Sequence, residues 1–249
     1  MWFGNRYKLK AITNSYSFTT MKTLGLIGGT SWVSTIDYYR FINQGVNDKL
    51  GGVNAAQLLL HSFNYADIAK NHAANDWAKT TQMVVDAGIG LKSSGAEAIL
   101  LCANTLHLIA EEVEAKIGLP IIHVATATAQ VIKKEGLKKV ALLGTKFTME
   151  NTFFTDKLTE AGIESIIPND TERAFIHQTL MDELGKGILL PETKAEYLKI
   201  INRFVQEGAE GVILGCTEIP LLIKPGDTDV ILFDTTQIHS AAAVEFALG

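Results

Sequence analysis

The chain has 249 residues, a net charge of −5, 47% hydrophobic residues and 20% charged residues. That is enough apolar material for one large core or two smaller ones, and it is not the composition of a disordered chain. No basic stretch exceeds the pairs Lys133-Lys134 and Lys138-Lys139, which excludes a nucleic-acid or anionic-membrane surface as the main partner. The longest apolar runs fall far short of a membrane span.

The two cysteines, Cys102 and Cys216, lack Cys-x-x-Cys spacing, and point to reduced thiols and a cytoplasmic location. Residues 1–20 read differently from the rest. Arg6, Lys8 and Lys10 are basic, but the Ser/Thr/Asn-rich stretch that follows lacks the apolar centre of a signal peptide. This segment is expected to be a disordered or non-native leader.

From Met21 the pattern alternates short apolar runs with helical periodicity, the sign of βαβ units and a mostly parallel sheet. Leu24 to Ile27 reads as a strand ending at Gly28-Gly29-Thr30. A helix follows, capped by Ser34 or Thr35, with Ile36, Tyr39, Ile42, Val46 and Leu50 on its inner face and Gly51-Gly52 as its stop. Gln57 to Ser62 is predicted as a strand, Trp77 to Ser94 as a helix, and Ala98 to Leu101 as a strand delivering Cys102. The next helix carries the stripe Leu106, Ile109, Val113 and Ile117 and ends before Pro120, ahead of a fourth strand at Ile121 to Val124.

The order then repeats. Val140 to Leu143 is a strand ending at Gly144-Thr145, Met149 to Ala161 a helix, Ser165 to Ile167 a short strand, and Glu172 to Leu184 and Glu192 to Gln206 are helices. Val212 to Leu214 leads to Cys216, Val230 to Phe233 leads to Asp234, and a last helix from Gln237 to Leu248 returns to the first half. Gly28 and Gly144 lie 116 residues apart and the cysteines 114 apart, as an internal duplication would place them. The expected fold is therefore α/β, with two pseudo-symmetric lobes that are each a mainly parallel sheet flanked by helices, and with the active site in the cleft between them. The first lobe is assigned residues 21–123 plus 236–249 and the second 124–235.

Ligands of parallel α/β sheets bind beyond the carboxyl ends of strands, where both cysteines and both glycine turns fall. Each cysteine ends an apolar strand and precedes a helix start, where backbone N–H groups would lower a thiol pKa. Two thiols on opposed lobes suit the inversion of a carbon stereocentre, one removing a proton from one face while the other returns a proton to the opposite face. Thr30, Ser31, Asn104, Thr105, Thr145 and Thr217 are placed to donate hydrogen bonds to a substrate carboxylate as charge develops on it.

These residues carry a resemblance. Leu26-Ile27-Gly28-Gly29-Thr30-Ser31-Trp32, Leu101-Cys102-Ala103-Asn104-Thr105, Leu143-Gly144-Thr145-Lys146-Phe147-Thr148-Met149 and Leu214-Gly215-Cys216-Thr217-Glu218-Ile219 follow one another as in the aspartate/glutamate racemase family, which the chain resembles from Met21 onward. Glu218 after the second Cys-Thr is similar to the aspartate-racemase branch, and Gly28 to Thr35 with Leu60-His61-Ser62 resembles its broad-specificity amino-acid racemases. The resemblance implies a cofactor-independent, pyridoxal-free isomerase acting on a free amino acid, and a homodimer. It implies Cys102 and Cys216 as the acid/base pair and Glu218 as the residue that orients or buffers Cys216. It also implies Thr30, Gln57, Asn104, Thr105, Thr145, Thr148 and Thr217 as substrate contacts. The arginine and lysine expected of a strict aspartate racemase are missing or displaced, the nearest being Arg40, Arg173 and Lys186.

Competing motifs fail. Gly25-x-x-Gly28-Gly29 is not a dinucleotide fingerprint, Gly185-Lys186-Gly187 is not a phosphate loop, and six scattered histidines carry no metal-ligand spacing. Hydantoin racemisation, maleate isomerisation and malonate decarboxylation remain as rival reactions, and a two-lobed small-acid binding protein as the non-enzyme rival.

Overall fold

A computed structural model of the chain describes residues 21–249; the expected leader, residues 1–20, lies outside the described residues. The first lobe is built on a three-stranded parallel sheet of β1 (Leu24–Gly28), β2 (Leu58–Ser62) and β3 (Ala98–Leu101), in the order β2-β1-β3. Around it lie α1 (Trp32–Leu50), α2 (Tyr65–Ala73), α3 (Trp77–Ser93) and α4 (Ala110–Ile117), the last entered through a single 3₁₀ stretch at Asn104–Ile109. α5 (Val124–Lys134) crosses to the second lobe, a four-stranded parallel sheet in which β5-β4-β6-β7 are Glu164–Ile166, Lys139–Gly144, Gly211–Gly215 and Ile231–Asp234. Its helices are α6 (Lys146–Glu150), α7 (Thr152–Glu160), α8 (Asp170–Asp182), α9 (Pro191–Gln206) and α10 (Ile219–Leu222). α11 (Thr235–Leu248) then runs back to the first lobe.

Every residue of β1 and β6 is buried, as expected of central parallel strands covered on both faces, which read as continuous apolar runs. The two faces of the first sheet seed separate cores. Ile27, Ile99 and Leu101 pack with α3 and α4, where the predicted stripe Leu106, Ile109, Val113 and Ile117 is buried throughout. Leu24, Leu26, Ala98 and Leu100 pack with Tyr38, Ile42 and Val46 of α1 and with Ala243, Val244 and Ala247 of α11. The last helix thus lies on the first lobe.

Local chemistry corrects several sequence-based boundaries. α1 is capped by Ser31, not Ser34 or Thr35: Ser31 has extended backbone and its Oγ accepts from the Ser34 N–H. The earlier start rotates the inner face, so Ser34, Thr35, Tyr38, Ile42 and Val46 are buried while Ile36, Tyr39 and Leu50 point outward. Thr35 Oγ1 instead holds the strand-end turn, accepting from the Gly29 N–H at 2.9 Å. Gly29 has φ +81°, and a Cβ there would sit 2.2 Å from the Phe63 carbonyl oxygen, so no other residue fits.

The predicted strand at Ile121 to Val124 shrinks to one bridge between Ile121 and Ile99. Pro120 has no N–H to give, and His123 already caps α5 by accepting from the Ala125 N–H. The predicted helix from Met149 to Ala161 is broken at Asn151, which is extended (ψ 151°) and whose Nδ2 satisfies the Phe147 carbonyl at 2.9 Å. Helices α2 and α5 were not expected from the sequence. Among the described residues no helix is long and apolar enough to cross a membrane.

Candidate active site

The carboxyl ends of β1, β3, β4 and β6 face one another across a cleft of about 320 Å³, at the small end of ligand pockets. Its walls bring together most of the predicted residues: Thr30, Ser31, Asn104, Thr105, Thr145, Thr148, Cys216, Thr217 and Glu218.

The second-lobe wall is centred on Cys216, which β6 delivers partly exposed at the cleft floor. Its Sγ donates to Glu218 Oε2 at 2.9 Å, and Glu218 Oε1 accepts from Ser31 Oγ of the other lobe at 3.2 Å. Ser31 is also the cap of the nineteen-residue α1, so the Glu218 carboxylate sits beside the positive end of a long helix. The Cys216 thiol is nevertheless held well above its ordinary pKa, chiefly by burial and next by the Glu218 carboxylate. The backbone N–H groups of Glu218 and Thr217 pull the other way and lose. The expectation that strand-end amides would depress the thiol pKa is therefore reversed at this cysteine.

The first-lobe wall differs. Cys102 is fully buried, sits in the apolar cluster with Leu100, Tyr38 and Ala243, and its Sγ is turned back toward the Leu100 carbonyl at 3.9 Å. Burial raises the pKa of this thiol as well. The residue that reaches the cleft is its neighbour Ala103, and strand register gives the reason. Ile27 pairs with Leu101 one step before Gly28, and Leu143 pairs with Leu214 one step before Gly144. Cys102 is therefore the counterpart of Gly215, and Ala103 the counterpart of Cys216. Because successive side chains of a strand point to opposite faces, this one-residue offset sends the Cys102 thiol into the core. The placement of Cys102 opposite Cys216 is corrected accordingly.

Other residues sort by what they hold. Asn104 spans the lobes, with Nδ2 donating to the Gly215 carbonyl at 2.7 Å and to Thr235 Oγ1 at 3.1 Å. Thr145 caps α6 and its Oγ1 lies 3.1 Å from Thr148 Oγ1. Thr30 lines the cleft, and its Oγ1 is buried with no hydrogen-bond partner among the described residues. Gln57 is elsewhere: it precedes β2, is exposed, and accepts from Thr23 Oγ1 at the amino end of the sheet. Its assignment as a substrate contact is corrected, because the cleft lies at the opposite end of those strands.

Sequence reasoning missed Trp32, Tyr65, His72, Leu180 and Met181, which also line the cleft. Tyr65 and His72 ride on α2, whose Asn64 cap (Oδ1 accepting from Ala66 N–H) was the available signal. His72 stacks on Trp77 with ring centroids 4.5 Å apart, and burial lowers its pKa.

A family model described as Asp/Glu/hydantoin racemase matches residues 27–243. The chain belongs to the Asp/Glu/hydantoin racemase family. The crystal structure of a putative Asp/Glu racemase from Yersinia pestis is 45% identical, with a TM-score of 0.88 over 92% of this chain and 100% of that one. The structure of an aspartate racemase homologue from Pyrococcus horikoshii OT3 is 36% identical, with a TM-score of 0.81 over 91% of this chain and 99% of that one. A broad-specificity amino-acid racemase of Bacillus subtilis (strain 168) is 21% identical over 228 residues, 89% of this chain and 96% of its own length. The α/β fold with two parallel sheets is the two-lobed fold of these racemases.

The basic residues considered for a substrate side-chain carboxylate are occupied outside the cleft lining of this racemase-family chain. Arg40 pairs with Asp37 at 2.7 Å, Arg173 with Glu150 at 3.1 Å, and Lys186 with Asp182 at 3.4 Å.

Proposed function

We propose that the chain is an amino-acid racemase that moves the Cα proton of a free amino acid with a neutral, largely apolar side chain, and that Cys216 is the group carrying the proton. The observation that carries this reading is the Cys216–Glu218–Ser31 chain of hydrogen bonds closing the cleft between the lobes. The thiol holds its proton while the site is empty; its transfer to Glu218 frees a thiolate for the substrate Cα–H. A zwitterionic substrate brings an ammonium to this negative pair. Its carboxylate can be held by the hydroxyls of Thr30, Thr105 and Thr217, which line the cleft and make no competing side-chain hydrogen bond among the described residues. As negative charge moves from Cα onto that carboxylate, such donors bind the transition state more strongly than the ground state.

The neutral side chain follows from the rest of the lining. Among the described residues, no lysine or arginine lines the cleft, while Trp32, Val33, Leu106, Leu180 and Met181 do. A second substrate carboxylate would lose water without gaining a cation and would face Glu218, a cost of several kcal/mol. The test is a panel of both enantiomers of alanine, leucine, methionine, aspartate and glutamate, followed by chiral chromatography. Leucine and methionine should be processed with kcat/KM at least tenfold above aspartate and glutamate. A preference for the dicarboxylic acids would overturn the side-chain assignment, and no conversion of any member would overturn the racemase reading.

A further inference from the structure

We propose that this is a one-thiol site: Cys216 exchanges the Cα proton on one face of the substrate, and the other face is served by water rather than by a side chain of the first lobe. The inference rests on the racemase reading above and adds an asymmetry that this reading does not require. Strand register makes Ala103 the counterpart of Cys216, and a methyl group neither takes nor gives a proton. The thiol beside it, Cys102, has no exposure and is turned toward the Leu100 carbonyl.

The polar groups around Ala103 do not replace it. Ser31 Oγ is engaged with Glu218, Ser34 Oγ donates to the Ser31 carbonyl at 2.9 Å, and Asn104 Nδ2 is held by Gly215 and Thr235. Of the titratable side chains in the lining, Tyr65 is held protonated, its pKa raised by burial and next by the charges of Cys216 and Glu218, so it is no base and a poor acid. His72 is fixed in a stack with Trp77 and Phe147. What the first-lobe wall offers beside the substrate is therefore the Ala103 methyl and no free acid or base, which leaves solvent in the cleft as the proton source.

The proton bookkeeping closes without a co-reactant. The Cys216 thiolate takes the Cα proton and the electron pair passes to the substrate carboxylate. The thiol exchanges its proton with solvent through Glu218. Return of that proton to the same face gives the starting enantiomer with solvent hydrogen at Cα. Delivery from water on the Ala103 face gives the other enantiomer and leaves hydroxide, which is neutralised by the proton still held on the Cys216–Glu218 pair. One enantiomer, with its hydrogen toward Cys216, therefore exchanges many times per inversion. The other, with its hydrogen toward Ala103, inverts each time it exchanges.

The experiment follows both enantiomers of leucine and methionine in D₂O, reading Cα deuteration by proton NMR and inversion by chiral chromatography. In the native protein the exchange-to-inversion ratio should be at least tenfold higher from one enantiomer than from the other, since general acid–base groups contribute typically 10²–10⁴-fold. Ala103→Cys should raise inversion at least tenfold and bring the two ratios together, while Cys102→Ser and Cys102→Ala should change neither. Equal ratios from both enantiomers, or loss of inversion in both Cys102 variants with the fold intact by circular dichroism, would overturn the one-thiol site and leave the racemase reading standing. Loss of inversion in His72→Gln with exchange retained would likewise overturn it by making His72 the second acid/base. Absence of any exchange would remove the racemase reading and this proposal together.

Discussion

The two strand ends that form the cleft floor share a backbone plan and differ in what they show the cleft. At the end of β6, Gly215 faces the core and Cys216 the cleft; at the end of β3, Cys102 faces the core and Ala103 the cleft. A Cβ at Gly215 would lie 2.7 Å from the Leu143 carbonyl oxygen and 3.0 Å from Leu142 Cδ1, so the second lobe has no room for the side chain that the first lobe buries. The same residue type thus serves packing in one lobe and is placed for chemistry in the other. What decides between the roles is the parity of its position along the strand, not the motif around it.

The largest effect that separates the two sites is on turnover. Cys216→Ser should lower kcat/KM by about 10³-fold, within the usual range for removing an acid/base group, with unfolding free energy within about 0.5 kcal/mol of the native value because the site is partly exposed. Cys102→Ser should do the reverse. Turnover should stay within about threefold, while stability falls by about 1–3 kcal/mol from a hydroxyl placed among Leu24, Leu100 and Ala243 without a partner. Urea titrations and steady-state kinetics on the two variants decide it, and a Cys102 variant that is stable but inactive would break the comparison.

That parity explains what was legible in the sequence. Strand and helix alternation, the duplicated glycine turns, the return of the last helix and the strand-end residues of the cleft, Thr30, Ser31, Asn104, Thr105, Thr145, Cys216 and Thr217, could be read from apolar periodicity and turn chemistry. The register of β3 against β1 could not, because matching cysteine to cysteine aligns two residues one step apart in the ladder. The hint was present: Thr217 follows Cys216 directly, whereas Ala103 separates Cys102 from Asn104-Thr105. Gln57 was misplaced for a different reason: the resemblance alone carried it, although it opens the predicted strand Gln57 to Ser62 and so lies at the amino end, away from the carboxyl ends where ligands of parallel sheets bind. Tyr65 and His72 were hidden in a nine-residue helix, too short for its periodicity to stand out.

A smaller contrast concerns acid. The polar cluster near Cys102 contains three packed histidines, with His107 centroids 4.7 Å from His123 and 5.3 Å from His239. His239 Nε2–H donates to the Ile122 carbonyl, so its Nδ1 accepts from the Tyr38 hydroxyl at 2.8 Å. Burial is the main cause holding all three neutral, with His123 and His239 lowered to about 4 and His107 lowered as well. In the second-lobe core, the Thr179 and Tyr197 hydroxyls meet at 3.1 Å and do not titrate in acid. An unfolded histidine titrates near about 6.5, so between that pH and about 4 the unfolded chain binds more protons than the folded one. The stability these neutral rings provide is therefore present above about pH 6.5 and is lost as pH falls through the folded values. The urea midpoint should drop between pH 7 and 4.5 by the equivalent of a few kcal/mol, with proton uptake on unfolding at pH 5. A midpoint flat over that interval would show that the cluster is not buried neutral.

The smallest effect tests how the lobes are joined at Ser31, which caps α1 and donates to Glu218. If its role is only to cap, Ser31→Ala should cost about 1 kcal/mol of stability and leave the pH dependence of turnover unchanged. If it also holds the carboxylate that shares the Cys216 proton, the same variant should lose about tenfold in kcat, since hydrogen bonds to charged groups contribute about 1.5–3 kcal/mol. Ser31→Asp separates the two roles, because aspartate caps as well as serine does yet brings a second carboxylate toward Glu218 with nothing to donate. Its stability should stay close to native while kcat falls at least as far as in Ser31→Ala, and the rise of activity with pH should move upward as the Cys216 proton becomes harder to remove. Full activity in Ser31→Asp would reduce Ser31 to a helix cap and leave Glu218 positioned by the second lobe alone.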